Sequence, residues 1–242
     1  LEQAENHQKP DFQIGEFGQE LFLLPGYDQD QIRILKTGES IGNIEACFPI
    51  THGPNGEDGT LQGLLNQLNL PFVGPDVMGS AVAMDKDFSK KLFAQAGIGC
   101  AEGVVLMRHL QDQIDYKEIT EQLGTTLFIK PANMGSSVGV HKTTDESSFH
   151  IAIKDAFQYD TKILVEKAVV GRELECAVLG NEFPKASTVG EIIMQKGFYD
   201  FESKYISADN ALLYIPAQNL ESFIIFCTFS VLSAACHHNT SV

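Results

Sequence analysis

Residues that could bind a phosphate group are concentrated between positions 128 and 140, where lysine, glycine and serine occur together. The β-branched and aromatic runs 127–129 and 138–140 predict two short strands, and the proline, asparagine, glycine and serine residues between them predict a tight loop. Loops of this composition can present several backbone N–H groups to one anion. The pattern therefore indicates a candidate anion site between two strands.

Five residues of this stretch supply the chemistry. Gly135 and Gly139 let the backbone approach a ligand without an intervening Cβ, and the Ser136 and Ser137 hydroxyls add hydrogen-bond donors. Lys130, at the end of the first strand, adds a fixed positive charge. An ordinary hairpin turn with an exposed lysine fits the same residues about equally well, because glycine-rich loops are common.

Three motifs taken together resemble the D-alanine–D-alanine ligase family, whose members are ATP-grasp enzymes. They read Lys130-Pro131-Ala132-x-x-Gly135-Ser136-Ser137-Val138-Gly139, His52-Gly53-x-x-Gly56-Glu57-Asp58-Gly59-x-x-Gln62-Gly63 and Phe198-Tyr199-Asp200-Phe201-Glu202-x-Lys204-Tyr205. Their order and spacing make the match specific over residues 46–216. The resemblance implies an ATP-grasp fold of α/β or α+β class, with three lobes and ATP between the central and C-terminal lobes. The expected domains are 1–84, an N-terminal substrate domain, then 85–165, the central domain, and 166–242, the C-terminal domain.

The resemblance also assigns nucleotide-binding roles to nine residues. They are Lys86, Lys130 and Lys204 at the phosphates, Ser137 in the loop, Glu166, Lys167 and Val169 at the adenine edge, Glu173 at the ribose, and Phe198 beside the adenine. Without the flanking motifs, Lys86 would be interpreted as a surface lysine, and Glu166 and Glu173 as solvated positions on an edge strand.

Catalytic roles are implied for Ser136, Tyr205 and Glu57. In the family, a serine, a tyrosine and a glutamate from the N-terminal strand form a triad that orients the substrates and holds a mobile lid, here residues 195–205, over ATP. Such enzymes use ATP to convert one D-alanine carboxylate to an acyl phosphate, which the amine of a second D-alanine attacks. Glu57 would lie at the substrate end of the pocket, although simple capping of the following helix also explains it. Tyr205 favours peptide formation over the ester formation of some relatives.

Two departures from the family pattern qualify this assignment. Nothing in residues 1–46 matches the family's first strand and its glutamate motif, and no residue after Pro216 matches the family's Mg²⁺ ligands, which must be oxygen donors. We therefore expect a fragment, or a disrupted reading frame, of a ligase. Two alternatives stay open, namely another ATP-grasp carboxylate–amine ligase and an inactive protein that only binds nucleotide.

Composition excludes several classes of partner. The formal charge of −15, from 32 acidic and 17 basic residues, argues against nonspecific binding to nucleic acid or to anionic membranes. Five cysteines without a C-x-x-C pair, and no apparent secretory signal, predict a cytoplasmic protein with reduced thiols.

A zinc site at Cys227, Cys236, His237 and His238 is disfavoured because these residues lie so near the end of the chain. The family often forms homodimers, which leaves a homodimer as one possible assembly.

Hydrophobic periodicity predicts the main elements. Helices are expected after Asp58, over 77–84, from Lys86 to Gly97, over 116–123, and after a capping box at Thr143 and Glu146. Strands are expected at 20–24, 31–35, 44–51 (buried), 72–73, 103–107, 127–130, 163–165 and 186–193. Phe88, Leu92, Phe93 and Ala96 should form an apolar stripe, Lys90 and Lys91 a solvated face, and Cys47 and Cys176 buried fillers.

Overall fold

The computed structural model describes residues 18–194, 211–219, 233–234 and 236–237. Its helices are α1 (Thr60–Gln67), α2 (Val77–Met84), α3 (Lys86–Gln95), α4 (Tyr116–Leu123) and α5 (Glu146–Tyr159), with a 3₁₀ turn at Arg108–Gln113. The predicted helices over 77–84 and 116–123 have the expected bounds. Among the helices of the described ranges, none combines the length and the apolar character needed to cross a membrane.

The strands are short and mostly antiparallel. They are β1 (Leu21–Leu23), β2 (Ile32–Ile34), β3 (Phe72–Val73), β4 (Gly103–Met107), β5 (Leu127–Pro131), β6 (His141–Thr143), β7 (Lys162–Lys167), β8 (Glu173–Glu175), β9 (Val178–Leu179), β10 (Lys185–Ala186), β11 (Gly190–Met194), β12 (Ala211–Tyr214), β13 (Ser233–Ala234) and β14 (Cys236–His237). The expected extended run 186–193 is divided between β10 and β11.

A four-stranded antiparallel sheet, in the order β4-β7-β5-β6, carries the main core of the described chain. Ile129 and Val165 lie opposite each other in register and are fully buried against α5, with Phe149 and Ile153 among their partners in the core. Because side chains alternate along a strand, Lys130 and Glu166 lie on the other face of this sheet. Helices α4 and α5 therefore cover one face, while Lys130 and Glu166 lie on the other.

A smaller core forms ahead of this sheet. The hairpin β1–β2 precedes α1, and Leu65, Leu68, Leu70 and Phe72 are buried together. The buried strand expected over 44–51 is wrong, because only an isolated bridge joins Cys47 to Phe72 there and the Phe48 and Ile50 side chains are exposed. An apolar run becomes a strand only as far as a neighbouring strand pairs with it, and β3 pairs with this run only at Cys47.

Four further expectations are wrong. The second strand of the glycine-serine stretch begins at His141, because residues 136–139 form turns. Helix α5 is capped by Asp145, whose side chain accepts from Ser148 N, and not by Thr143. Two members of the α3 stripe, Phe88 and Leu92, are 54% and 55% exposed. Cys176 is exposed, whereas Cys47 is half-buried and burial raises the pKa of its thiol.

The residues after β7 form two further small sheets. One contains β12, β11 and β8 in that order, and the other β10, β9 and β13. Arg172 makes a bidentate ion pair with the buried Glu191 of β11, at 2.6 Å for each oxygen, and donates to the carbonyls of Gln218 and Asn219. This contact ties the chain just before Glu173 to the β8–β11 sheet.

Candidate functional site

Lys86 joins the start of α3 to the beginning of the glycine-serine loop. Its backbone N–H donates to Ala132 O at 3.1 Å, and its Nζ donates to the carbonyl oxygens of Ala132 and Met134. Asp85 caps the helix by accepting from Asp87 N and Phe88 N. Burial, assisted by the nearby Lys130 ammonium, lowers the pKa of Lys86 to about 8. Lys86 is thus a partly buried cation beside the loop and not a surface lysine.

Two lysines share the carboxylate of Glu166. Lys90 Nζ contacts Oε1 and Lys130 Nζ contacts Oε2, while Lys90 also donates to Ala101 O at 2.7 Å. Burial by itself raises the pKa of Glu166, but the two ammonium groups outweigh it, so the pKa lies below its ordinary value. Lys130 and Glu166 are therefore neither the exposed lysine of a simple hairpin nor a solvated edge position.

The loop between β5 and β6 has an unusual backbone. Ser136 and Ser137 are consecutive non-glycine residues with φ of 51° and 59°, and Gly139 has φ of 67°. Left-handed backbone at non-glycine residues costs energy and is concentrated at functional sites. A Cβ on Gly139 would lie 2.7 Å from Tyr159 Cδ2 and 2.9 Å from Pro131 Cγ, so only glycine fits there.

Asp160 holds the first residues of this loop. Its Oδ2 accepts from both Asn133 N, at 2.8 Å, and Asn133 Nδ2, at 3.0 Å, and its Oδ1 accepts from Lys162 N at 3.1 Å. Because one carboxylate binds the loop and the start of β7 together, the loop geometry depends on the end of α5.

Glu57 lies across from the loop. A Cβ built on Gly135 would be 3.5 Å from Glu57 Oε2, and the same oxygen accepts from Gly53 N at 2.5 Å. Glu57 does not cap α1, whose first turn contains no acidic residue. Asp58 instead accepts from Thr60 N at 3.0 Å and from Asn55 N at 2.8 Å. The structure therefore brings Glu57 to the glycine-serine loop.

A second ion-pair cluster supports the helix start. Lys162 Nζ lies 2.6 Å from Asp85 Oδ2 and 3.3 Å from Asp87 Oδ2, and 4.5 Å from the centre of the Phe88 ring. These contacts hold the N-terminus of α3, and with it Lys86, against the first residue of β7.

The remaining site residues divide into two groups. Lys167 ends β7 with an exposed side chain, Val169 follows it with 53% exposure, and Glu173 is half-buried on β8. Phe198, Lys204 and Tyr205, and the lid expected at 195–205, lie outside the described residues. The cluster around the loop thus contains Lys86, Lys130, Ser136, Ser137, Glu57 and Glu166.

Sequence reasoning missed Lys90, which was expected to be a solvated lysine. A helical spacing of four places Lys86 and Lys90 on the same face of α3, and that spacing could have identified it. Lys91 points elsewhere, is exposed, and pairs with Asp87 at 2.9 Å, as a surface lysine should. Asp160 and Lys162 had no comparable signal in the sequence.

The described residues do not fit a resident metal ion. Within them, no group of three His, Cys, Asp or Glu side chains is arranged to hold one. We therefore assign no Mg²⁺ ligand to this part of the chain.

Two family models match the chain. The model described as "D-ala D-ala ligase C-terminus" matches residues 92–223, and the one described as "D-ala D-ala ligase N-terminus" matches residues 2–75. The second match overturns the expectation that the resemblance begins near Ala46.

Curated relatives and solved structures agree with these matches. A D-alanine–D-alanine ligase of Shouchella clausii is 50% identical over 205 residues, which is 85% of this chain and 56% of that protein. A D-alanyl-alanine synthetase A structure from Vibrio cholerae has a TM-score of 0.71 and 29% identity, over 86% of this chain and 61% of that one. The VanG D-Ala:D-Ser ligase structure from Enterococcus faecalis has a TM-score of 0.65 and 39% identity, over 74% and 52%.

The chain spans about half the length of the curated relatives that it matches. The fold of the structural neighbours is the ATP-grasp fold expected from the motifs, here with an antiparallel central sheet of α+β type. With both family models matched, and one of them covering more than half of the sequence, the chain belongs to the D-alanine–D-alanine ligase family.

Proposed function

We propose that this chain binds ATP and takes part in the ligation of two D-alanines to D-alanyl-D-alanine, a reaction that supplies peptidoglycan precursors. The observation that carries the proposal is the position of Lys86 and Lys130 beside a loop with two left-handed serines. Buried ammonium groups next to glycine and serine N–H donors suit a triphosphate. The family membership supplies the reaction.

The reaction has two steps. A carboxylate oxygen of the first D-alanine attacks the γ-phosphorus of ATP, the bond to the bridging oxygen breaks, and an acyl phosphate and ADP form. The amine of the second D-alanine then attacks the acyl carbon, expels inorganic phosphate and loses a proton. Both steps place negative charge on oxygen atoms, so positioning and cations are what a protein must supply.

The residues of this chain would divide these tasks. Lys86 and Lys130 neutralise phosphate charge, and Lys204 adds a third cation by resemblance. Ser136, Ser137 and the loop N–H groups orient the phosphates, while Glu57, beside Gly135, reaches the substrate end of the site. Tyr205 would pair with Ser136 and close the lid. Mg²⁺ would screen phosphate charge.

The adenine and ribose positions are also proposals. Val169 is exposed just after β7, where its backbone groups could pair with the edge of the base. Glu173, the ribose candidate, is held in place through the Arg172–Glu191 ion pair next to it. Glu166 presents both oxygens to lysines, so its contribution at the base end is through its backbone or through those lysines.

Two candidates for the second substrate, whose amine attacks the acyl phosphate, are D-alanine and D-serine. The curated relatives that are about 50% identical to this chain are D-alanine–D-alanine ligases, which favours D-alanine. The cytoplasmic location and the absence of nucleic-acid and membrane partners stay predictions, and a homodimer stays one possible assembly.

The experiment separates binding from turnover. Isothermal titration with ATP and Mg²⁺ measures binding, with Lys154→Met, an exposed lysine of α5, as the matched control for Lys130→Met. Phosphate release and mass spectrometry with D-alanine, D-serine, D-lactate and L-alanine identify the product. We expect ATP binding that Lys130→Met weakens, and D-alanyl-D-alanine as the main product. Absence of ATP binding would overturn the proposal, whereas binding without product would restrict it to nucleotide binding.

A further inference from the structure

Lys90 has no role in the motifs described so far, yet it lies in the most strongly charged part of the site. It projects from the second turn of α3, its side chain is only 24% exposed, and it contacts one oxygen of the buried Glu166 carboxylate. The other oxygen of Glu166 contacts Lys130. Each oxygen of one carboxylate is thus held by a different ammonium group.

The chain near Lys90 is shaped to allow this contact. Lys90 Nζ also donates to Ala101 O at 2.7 Å, two residues before Gly103 on β4. A Cβ on Gly103 would lie 2.9 Å from Glu166 Cγ and 2.7 Å from Val165 O. Because position 103 has no side chain, the Glu166 side chain can pass over β4 toward Lys90.

The net charge of Lys90, Lys130 and Glu166 determines how strongly they attract an anion. Glu166 with Lys130 alone would form a neutral pair, and Lys130 would offer little charge to an anion. With Lys90 on the second oxygen, the group of three carries one excess positive charge at neutral pH. The attraction between unit charges at contact is large in a partly buried site, so this excess matters for a phosphate ligand.

We propose that Lys90 is a positioning residue that shares Glu166 with Lys130, and so keeps the Lys130 ammonium available to the phosphates of the nucleotide. This inference rests on the proposed ATP site. Lys90 acts through Glu166 and need not touch the nucleotide itself. Lys91, the next residue on α3, is exposed and pairs with Asp87, which makes it the natural control.

The first test compares ATP dissociation constants. Lys90→Met should raise the dissociation constant for ATP about tenfold, because it removes the excess positive charge of the group. Lys90→Arg should restore most of the affinity, and Lys91→Met should leave it within about twofold. In a Glu166→Gln background, Lys90→Met should add less than about twofold, because the carboxylate that links the two lysines is gone.

The second test does not depend on nucleotide. Competitive acetylation followed by mass spectrometry measures how fast each lysine of the free chain reacts. In Lys90→Met, Glu166 pairs with Lys130 alone, so both carboxylate oxygens are free to hold the Lys130 ammonium and its acetylation should slow severalfold. Lys91→Met should leave the acetylation rate of Lys130 unchanged, and circular dichroism shows whether each variant keeps its fold.

Two results would overturn the inference about Lys90. One is an unchanged Lys130 acetylation rate in folded Lys90→Met. The other is a loss of affinity in Lys90→Met that persists in full in the Glu166→Gln background, because Lys90 would then act directly. Failure of the unaltered chain to bind ATP would instead count against the proposed function, while the acetylation result still decides whether Lys90 controls Lys130.

Discussion

Lys130 and Glu166 are diagonal neighbours on adjacent antiparallel strands, and their ion pair lies on the sheet face opposite α4 and α5. Phe128 is directly opposite Glu166 in the register, and Lys130 is two residues further along β5. Side chains at that diagonal spacing are within reach of each other when they are long. The strand register, and not a loop, therefore sets the distance between the phosphate-site lysine and its carboxylate.

Removal of the Lys130 charge tests this pair. We expect Lys130→Met to weaken ATP binding at least about tenfold, because a cation next to the phosphates is lost. Glu166 keeps its ion pair with Lys90, so the loss in unfolding free energy should be about 1–3 kcal/mol. Titration calorimetry and urea denaturation measure the two effects. Equal affinity in Lys130→Met and Lys154→Met would contradict the assignment.

The depressed pKa of Lys86 predicts a pH dependence of stability. The folded chain releases this proton near pH 8, and the unfolded chain near the ordinary value of 10.5. Between these values the unfolded state binds more protons, so the Lys86 contribution makes the protein more stable as pH rises from about 8 to about 10.5. This pKa shift changes the free energy of unfolding by about 3 kcal/mol at most.

The comparison variant for this pH dependence is Lys86→Met, which lacks the titrating group. The unfolding free energy of the unaltered chain minus that of Lys86→Met should increase between pH 7.5 and pH 10. ATP affinity should change in the opposite direction over the same range, because the neutral amine no longer attracts phosphate. If the difference in unfolding free energy between the two proteins does not change with pH, the lowered pKa of Lys86 is contradicted.

Gly139→Ala tests the shape of the loop. Its φ of 67° is costly for alanine, and the new Cβ would meet the Tyr159 ring and Pro131. The matched control is Gly97→Ala, where φ is 75° but no atom lies within 4 Å of the new Cβ. We expect about 1–2 kcal/mol of destabilisation in the control and about 1–3 kcal/mol more at Gly139, measured by urea denaturation. Equal losses would indicate that the packing around the loop adapts.

Asp160→Ala tests the anchor of the loop. The substitution leaves Asn133 N and Nδ2 without their acceptor, which should cost about 1–3 kcal/mol of unfolding free energy. In Asp160→Asn, the amide oxygen can still accept one of these hydrogen bonds, so the loss should be smaller. Hydrogen exchange of Asn133 N–H reports on the loop directly. Unchanged protection of that amide in Asp160→Ala would exclude the anchoring role.

Local signals account for what could be predicted about the fold. Gly97 follows the end of α3, as expected, and α2 and α4 have the bounds that the sequence predicted. The strand expected at 44–51 was wrong because its apolar residues have few partners in space. Burial of a strand depends on neighbours that a local pattern does not contain.

By itself, the sequence determined the short-range features of this protein: most helix bounds, the glycine-serine loop and the motifs of its family. Only the tertiary structure decided which charges meet. Lys90 and Glu166 are 76 residues apart and Asn133 and Asp160 are 27 apart, and their contacts follow from the strand order β4-β7-β5-β6. Contacts of this kind depend on which strands are neighbours and on which element covers each face of the sheet, and no short-range spacing in the chain encodes either.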